Sequence, residues 1–206
     1  MAELLSQAIM NGKIGPGERL NESQLSRDLK VSRAPIREAL QQLQESGLVV
    51  NYPRRGMFVV DLTGGEISKI NGIRVILEAE ALRQAAANLT PSGAAELDNV
   101  LQRLERCPRK PAYALIRLDH QFHRTIWKLT DNEFLERTLN GLAAPVFAHS
   151  SLQLAKVELV ELDSHQPLAD FVRGRSQLSA EEVMRRHLQA YWSFEADSPE
   201  PDCASS

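Results

Sequence analysis

The spacing of hydrophobic residues changes once along the first 60 positions of the 206-residue chain. Up to Gly47, apolar residues recur every three or four positions and turn residues interrupt them twice. The predicted helices span residues 3 to 11, 22 to 30 and 32 to 46. Two alternating runs, 48 to 50 and 57 to 60, then predict short strands joined by a turn. Three helices followed by a hairpin predict a winged helix-turn-helix.

From Thr63 onward the spacing is helical throughout. Thr63 and Glu66 form a capping-box pattern, and an apolar stripe continues to Asn88. The stripe consists of Ile67, Ile70, Ile73, Leu77, Ala81 and Ala85. Further helices are predicted at 90 to 107, 112 to 130, 132 to 155, 158 to 173 and 179 to 195. Six helices without a strand predict an all-helical antiparallel bundle.

The chain is therefore expected to be mainly α, with two domains. Residues 1–62 form the predicted winged helix-turn-helix domain and residues 63–195 the predicted all-helical domain. Residues 196–206 are rich in Ser, Pro and Asp and have no periodicity, so we expect a disordered tail there.

Composition limits the compartment and the class of partner. Aromatic residues make up only 5% of the chain, which favours packed helices over a sheet fold. The apolar runs are too short for a membrane span, and Cys107 and Cys203 make a poor disulfide framework, so a cytoplasmic protein that does not bind membranes is expected. A net charge of −3 argues against a general nucleic-acid coat.

The third predicted helix has a polar face suited to DNA. Arg33, Arg37 and Gln41 are spaced four residues apart, opposite the apolar Ile36 and Leu40. A recognition helix places such residues at base edges in the major groove, where Arg pairs bidentately with guanine. A solvated face with surface salt bridges is the alternative interpretation of the same spacing.

The start of that helix and the tip of the hairpin complete the predicted DNA surface. Pro35 is tolerated in the first helical turn, and Ser32 is expected to accept a hydrogen bond from the backbone N–H of Ala34. In the hairpin, Arg54 and Arg55 precede Gly56, and such a basic tip can follow the DNA backbone or enter the minor groove.

Acidic and histidine residues in the second half form a candidate metal site. Asp119 and His123 are one helical turn apart, and His165 and His187 follow on the last two predicted helices. Three imidazoles and a carboxylate suit Zn²⁺, Ni²⁺ or another divalent first-row metal. The Asp119–His123 spacing alone favours an exposed salt bridge or a capped core histidine over a metal ligand, and the sequence alone does not show that the helices converge.

Motifs throughout the N-terminal part resemble those of a known regulator family. Three stretches, Ile9 to Glu22, Val31 to Val49 and Arg54 to Val60, closely resemble the DNA-binding domain of the GntR family of bacterial transcription regulators. The resemblance implies that Arg33 and Arg37 contact operator bases and that Gly56 lies at the wing tip.

Two positions depart from the family pattern. Lys30 occupies the helix-to-helix turn where the family usually has glycine, and a turn with φ > 0 there would cost about 1 kcal/mol. Ser23 stands where many members carry another DNA-contacting arginine. The preferred operator is therefore expected to differ from the family norm.

Residues 63–195 resemble the FCD effector domain of the FadR subfamily, in its shorter, VanR-like six-helix form, which implies an effector-binding and dimerisation domain. This resemblance implies that Asp119, His123, His165 and His187 bind the metal ion. It also implies that Arg74 faces the pocket and pairs with an effector carboxylate, although a surface pair with Glu78 explains the same spacing. His120 and His149 match no ligand position, and structural roles are expected for them.

Together these features predict a ligand-responsive transcription regulator that is not an enzyme. A homodimer, more often a repressor in this family, would bind palindromic double-stranded operator DNA and respond to a small organic acid bound at the metal. A pure metal-ion sensor is one alternative. A metal-dependent enzyme with an appended DNA-binding domain is the other, but no nucleophile elbow, phosphate loop or separate general base accompanies the histidines.

Overall fold

The computed structural model describes residues 1–108, 112–154 and 164–196, and nine helices and three strands lie within these ranges. The N-terminal elements are α1 (Ala2–Met10), β1 (Arg19–Leu20), α2 (Glu22–Asp28), α3 (Arg33–Glu45), β2 (Val49–Tyr52) and β3 (Gly56–Val59). The remaining elements are α4 (Gly64–Ala87), α5 (Pro91–Glu105), α6 (Ala112–Leu129), α7 (Glu133–Leu154), α8 (Gln166–Val172) and α9 (Ala180–Ala196). The predicted mainly α class, with a winged helix-turn-helix before a helical bundle, is confirmed.

The N-terminal elements form a small unit, here called the head, which comprises α1 to β3. Its three antiparallel strands have the order β1-β3-β2, with Leu20 opposite Met57 and Val49 opposite Val59. The inner face of α3 is completely covered, since Ile36 and Leu40 are both 0% exposed. Burying each such side chain contributes about 1.5–3 kcal/mol, which fixes the opposite face of α3 toward solvent.

Two details of the head differ from or add to the expectation. Strand β1 was not predicted, because two residues are too few to show an alternating pattern. Lys30 has φ 54°, so the expected left-handed turn between α2 and α3 is present without glycine.

Four of the helices that follow the wing, α6, α7, α8 and α9, contact α4, and α5 packs on α6 and α8. A capping box begins α4, as predicted: Thr63 accepts from the Glu66 N–H, and Glu66 Oε2 accepts from the Thr63 N–H at 2.9 Å. The main core of the bundle contains Leu82, Leu97, Leu101, Leu115, Phe122, Ile126, Leu168, Val183 and Leu188.

The predicted apolar stripe of α4 was wrong at Ile73. That side chain is 47% exposed, and Ile76, about one helical turn later on α4, is 67% exposed. The inward positions are taken by Asn71, Arg74 and Glu78, which are at most 2% exposed. The buried face of α4 is therefore partly polar, which an apolar periodicity could not reveal.

Two expectations about the C-terminal part fall at the edge of the described chain. Residues 158–163 of the helix predicted at 158 to 173 lie outside the described residues, and α8 begins at Gln166. Ala196 belongs to α9 and not to the predicted tail, whereas residues 197–206 lie outside the described residues.

The long helix α7 connects the bundle with the head. Ala148 and Leu152 of α7 belong to the same apolar cluster as Leu5 and Leu40 of the head. His149 Nδ1 lies 3.1 Å from the backbone nitrogen of Leu62 and accepts its hydrogen. Leu139, Ala143 and Phe147 of the same helix belong to a second apolar cluster of the bundle, so α7 contributes to the packing of both parts.

Candidate functional site

The exposed face of α3 carries the residues expected to read DNA. Arg33, Arg37 and Gln41 are all exposed, on the side opposite the buried core residues of the helix. Ser32 is the N-cap residue, but the predicted hydrogen bond from Ala34 is absent. Pro35 occupies the third helical position and has no N–H to offer, so only one of the usual two donors to a capping hydroxyl remains.

An ion pair orients one of these arginines. Arg37 Nη2 lies 3.1 Å from Glu22 Oε2, at the start of α2. Exposed pairs of this kind contribute little stability, so its main effect is to hold the guanidinium in place. Glu22 was not singled out in the sequence, because the pair joins two helices and has no fixed spacing.

The wing presents further basic side chains. Arg54 and Arg55 are exposed, and the Arg55 guanidinium lies 5.6 Å from the ring centres of both Tyr52 and Phe58. Gly56 has φ 98°, a conformation that favours glycine. Arg19 of β1, another exposed residue that the sequence did not indicate, lies against Gly56 and adds a cation to the same edge.

Inside the bundle, the four predicted metal ligands lie together. Asp119 and His123 come from α6, His165 from the N-cap of α8 and His187 from α9, and all are at most 4% exposed. One ring nitrogen from each of the three histidines lies within 4.8 Å of the chosen nitrogens of the other two. His123 Nε2 lies 3.2 Å from His187 Nε2, and Asp119 Oδ1 lies 2.7 Å from His165 Nε2 and 3.6 Å from His123 Nε2.

A buried chain of polar contacts continues from this cluster into α4. Glu78 Oε2 lies 2.7 Å from His123 Nδ1, and Glu78 Oε1 accepts from Arg74 Nε at 2.8 Å. Arg74 Nη1 in turn donates to Asn71 Oδ1 at 3.0 Å. The Arg74–Glu78 pair considered from the spacing therefore exists, but it is buried and reaches the histidines. Glu78 itself was missed as a site residue.

Burial and charge set the protonation of the cluster. Burial alone would raise the pKa of Glu78, but the charges of Arg74 and then His123 lower it to about 2. Burial would likewise raise the pKa of Asp119, but His165 lowers it. Burial, followed by the charges of His165 and His123, holds the pKa of His187 well below its usual value. At neutral pH the carboxylates are ionised and His187 is neutral.

These residues fit a divalent transition-metal ion. Two ligand nitrogens on a tetrahedral zinc ion with Zn–N bonds of about 2.0–2.1 Å lie about 3.3 Å apart, close to the 3.2 Å between the His123 and His187 nitrogens. Imidazole nitrogens and a carboxylate oxygen are donors that Zn²⁺ and Ni²⁺ accept. The hydrogen bond of His123 to a carboxylate on its other nitrogen is a common companion of metal-binding histidine.

Of the two remaining histidines, His120 lies beside the cluster and His149 lies outside it. His120 stacks on Phe147 with ring centres 4.7 Å apart, and burial followed by the charge of Arg124 lowers its pKa to about 4. Phe147 also lies 5.1 Å from the Arg74 guanidinium and 5.6 Å from the His123 ring. His149 instead binds Leu62 outside the cluster.

Comparison with family models identifies both halves of the chain. Residues 1–59 match the model described as bacterial regulatory proteins, gntR family, and residues 70–190 match the FCD domain. The chain belongs to the GntR family of bacterial transcription regulators. This GntR protein is thus a DNA-binding regulator with an FCD effector domain and not an enzyme.

Relatives of this GntR protein support the assignment over nearly its whole length. The HTH-type transcriptional repressor RspR of Escherichia coli is 29% identical over 90% of this chain and 83% of its own. The HTH-type transcriptional regulator YdhC of Bacillus subtilis is 32% identical over 94% of this chain and 86% of its own.

Solved structures confirm the fold. McbR/YncC of E. coli matches with a TM-score of 0.65 and 22% identity, over 95% of this chain and 94% of its own. A GntR regulator from Rhodococcus matches with a TM-score of 0.62 and 22% identity, over 97% of both chains.

Each helix in the described ranges is too short or too polar to cross a lipid bilayer.

Proposed function

We propose that this protein is a cytoplasmic, homodimeric repressor that holds a divalent metal ion in its FCD domain and releases operator DNA when a small organic acid binds there. The buried cluster of three histidines and Asp119 carries this proposal. The relative RspR is named a repressor, which supports the same direction of control.

The head is proposed to read double-stranded operator DNA through α3 and the wing. Arg33, Arg37 and Gln41 reach base edges in the major groove from the exposed face of α3. The first turn, Ser32, Ala34 and Pro35, lies closest to the groove floor. Arg54, Arg55 and Gly56 follow the neighbouring backbone, where basic side chains give affinity without sequence information.

The effector site is proposed to combine the metal with Arg74. Asp119, His123, His165 and His187 would hold Zn²⁺ or Ni²⁺, which supplies a positive centre for an effector carboxylate. Within the described residues Arg74 uses Nε and Nη1 for Glu78 and Asn71, which leaves Nη2 for the acid. A guanidinium is suited to this role because it pairs with carboxylates in a planar geometry.

Two subunits are proposed because operators of this type have two half-sites. Ile73 and Ile76 offer exposed apolar surface on the outer face of α4, where a second copy would cover them. A dimer places two copies of α3 at a fixed distance, so that a shift between bundle and head changes operator affinity.

The depth of the cluster favours a second candidate function. All four predicted ligands are at most 4% exposed, so little of the cluster is open to an organic acid. In a pure metal sensor the ion itself would be the effector, and operator affinity would change with the metal alone.

Replacing His187 with alanine tests the proposal. We expect purified wild-type protein to hold equimolar divalent metal by elemental analysis, and His187→Ala to lose it. Operator affinity, measured by fluorescence anisotropy, should fall in the wild type when small carboxylic acids are added, and should not respond in the variant.

His120→Phe is the matched control, because it removes a neighbouring histidine and keeps an aromatic ring against Phe147. It should retain the metal. Unchanged metal content in His187→Ala would overturn the site. Release of the operator by metal without acid would favour the pure sensor.

A further inference from the structure

Glu78 joins the positive charge of Arg74 to the metal-binding cluster. Its two carboxylate oxygens have separate partners: Oε1 accepts from Arg74 Nε at 2.8 Å, and Oε2 lies 2.7 Å from His123 Nδ1 and accepts a longer hydrogen bond from Trp127 Nε1 at 3.4 Å. The side chains of Arg74, Glu78 and His123 are at most 3% exposed. Bulk solvent therefore does not compete with these contacts.

This arrangement fixes the position of the proton on His123. An ionised carboxylate can only accept hydrogen bonds, so the hydrogen between Glu78 and His123 belongs to Nδ1. In the neutral ring the lone pair is then on Nε2. That nitrogen lies 3.2 Å from His187 Nε2 and 3.6 Å from Asp119 Oδ1, which is the interior of the cluster.

We propose that Glu78 is a positioning residue for the metal site, which acts through His123 by fixing the ring tautomer that presents Nε2 to the ion. Arg74 completes the arrangement because it holds the other carboxylate oxygen and balances its charge. The role rests on the proposed function, since it concerns the same site. It assigns to Glu78 a task that neither the motif spacing nor the family match specifies.

If the Arg74–Glu78 pair were only a structural ion pair of the core, it would not need the contact with His123. Arg74 and Glu78 are four residues apart on α4 and satisfy each other without help from α6. The contact with His123 comes from a residue 45 positions later in the chain and uses the second oxygen. Partners of this kind orient metal-binding histidines, and their loss typically weakens metal affinity by about 10–100-fold.

Glu78→Gln reverses the hydrogen-bonding logic with almost no change in volume. Arg74 has only donors, and its charge-assisted contact at 2.8 Å is stronger than the 3.4 Å contact of Trp127 Nε1, so the single oxygen of the glutamine amide turns toward Arg74. The amide NH₂ group then faces His123 and donates to Nδ1. The ring proton moves to Nε2, and the lone pair no longer faces the cluster.

The tautomer is measured first, by ¹⁵N NMR of the imidazoles in metal-stripped, full-length protein. We expect wild-type His123 to be protonated on Nδ1 and the Glu78→Gln variant to be protonated on Nε2. Wild-type His123 protonated on Nε2 would overturn the role of Glu78 without any variant. A purely structural carboxylate would leave the tautomer unchanged.

Zinc affinity is then measured by competition with a chromophoric chelator. We expect Glu78→Gln to bind Zn²⁺ about 10–100-fold more weakly than wild type. Glu80→Gln removes an exposed carboxylate from the same helix and should bind zinc as wild type does. Equal affinity in Glu78→Gln and wild type would overturn the role of Glu78 alone, whereas a wild type without zinc affinity would overturn the proposed function itself.

Discussion

Arg37 is held by an ion pair with Glu22, which the proposed contact with an operator base would have to replace. Its guanidinium lies 3.1 Å from Glu22 and its side chain is 68% exposed. Contact with a guanine edge would exchange one pair of hydrogen bonds for another of similar geometry. The pair therefore keeps Arg37 extended at the surface until DNA arrives, at small cost in stability.

Arg37→Ala should lower operator affinity by about 10–100-fold, because a good bidentate contact with a base is worth about 1–3 kcal/mol. The measurement is anisotropy of a labelled operator at fixed salt. Arg186→Ala removes an equally exposed arginine that is paired with Glu182 on α9, and it should leave operator affinity unchanged. Similar losses in both variants would argue against base contact by Arg37.

At this scale, the sequence predicted the types of residue better than their partners. The four candidate ligands were found from their chemistry and from the family resemblance, and they do lie together. Glu78 was visible only as a neighbour of Arg74 at helical spacing. Its bond to His123 depends on how α4 packs on α6, and helix packing leaves no local pattern in the sequence.

Helix α4 begins with a capping box whose strength depends on pH. Backbone and side-chain hydrogen bonds from Thr63 lower the pKa of Glu66. Between the folded-state pKa and the unfolded value of about 4.3, the unfolded chain binds more protons. The stabilisation by ionised Glu66 is therefore fully present above about pH 5 and is lost as the pH falls through the folded-state pKa.

Glu66→Gln should thus destabilise the protein at pH 7 by at most about 0.5 kcal/mol, since the site is exposed and the amide still accepts a hydrogen bond. The difference from wild type should shrink as the pH is lowered from 5 toward 3. Urea unfolding at several pH values measures it. Glu96→Gln, which removes an exposed carboxylate of α5 outside any cap, controls for the loss of a charge.

Elements with strong local signals were predicted well. The cap and turn residues before α2 and α4 and the long apolar periods predicted helices close to their observed bounds. The alternating runs on either side of the turn predicted the hairpin of β2 and β3. Strand β1 was missed because it exists only through its pairing with β3. The buried face of α4 was misassigned at Ile73 because its inward positions serve a polar network and not an apolar core.

Head and bundle meet where the end of α3 approaches α7. Gly47 has φ 77°, and a Cβ at this position would overlap the backbone of Ala144. The residue is therefore constrained twice, once by its conformation and once by its neighbour. Pro145 follows Ala144 within α7, so the backbone at this contact already departs from regular helical hydrogen bonding.

Gly47→Ala should lower the free energy of unfolding by about 2–4 kcal/mol, of which about 1–2 kcal/mol is the strain of positive φ and the remainder the overlap with α7. Gly12→Ala is the matched control, because Gly12 has φ 70° but no atom near the added methyl group. Urea unfolding of the two variants gives the difference. Equal losses of stability in the two variants would mean that the overlap of the added methyl group with α7 contributes nothing to the destabilisation.

Helix α7 contacts the head on one side and the surroundings of the histidine cluster on the other, which limits how freely the head could be combined with a different effector domain. Phe147 lies against Arg74 and the His123 ring, while the next residue, Ala148, fills the core of the head together with Leu152. A chimera that joined this head to an unrelated effector bundle would lack those side chains and the partner of the Leu62 N–H. To give this head a new effector domain, the residues of α7 that contact the head, Ala148, His149 and Leu152, would have to be kept in the new domain.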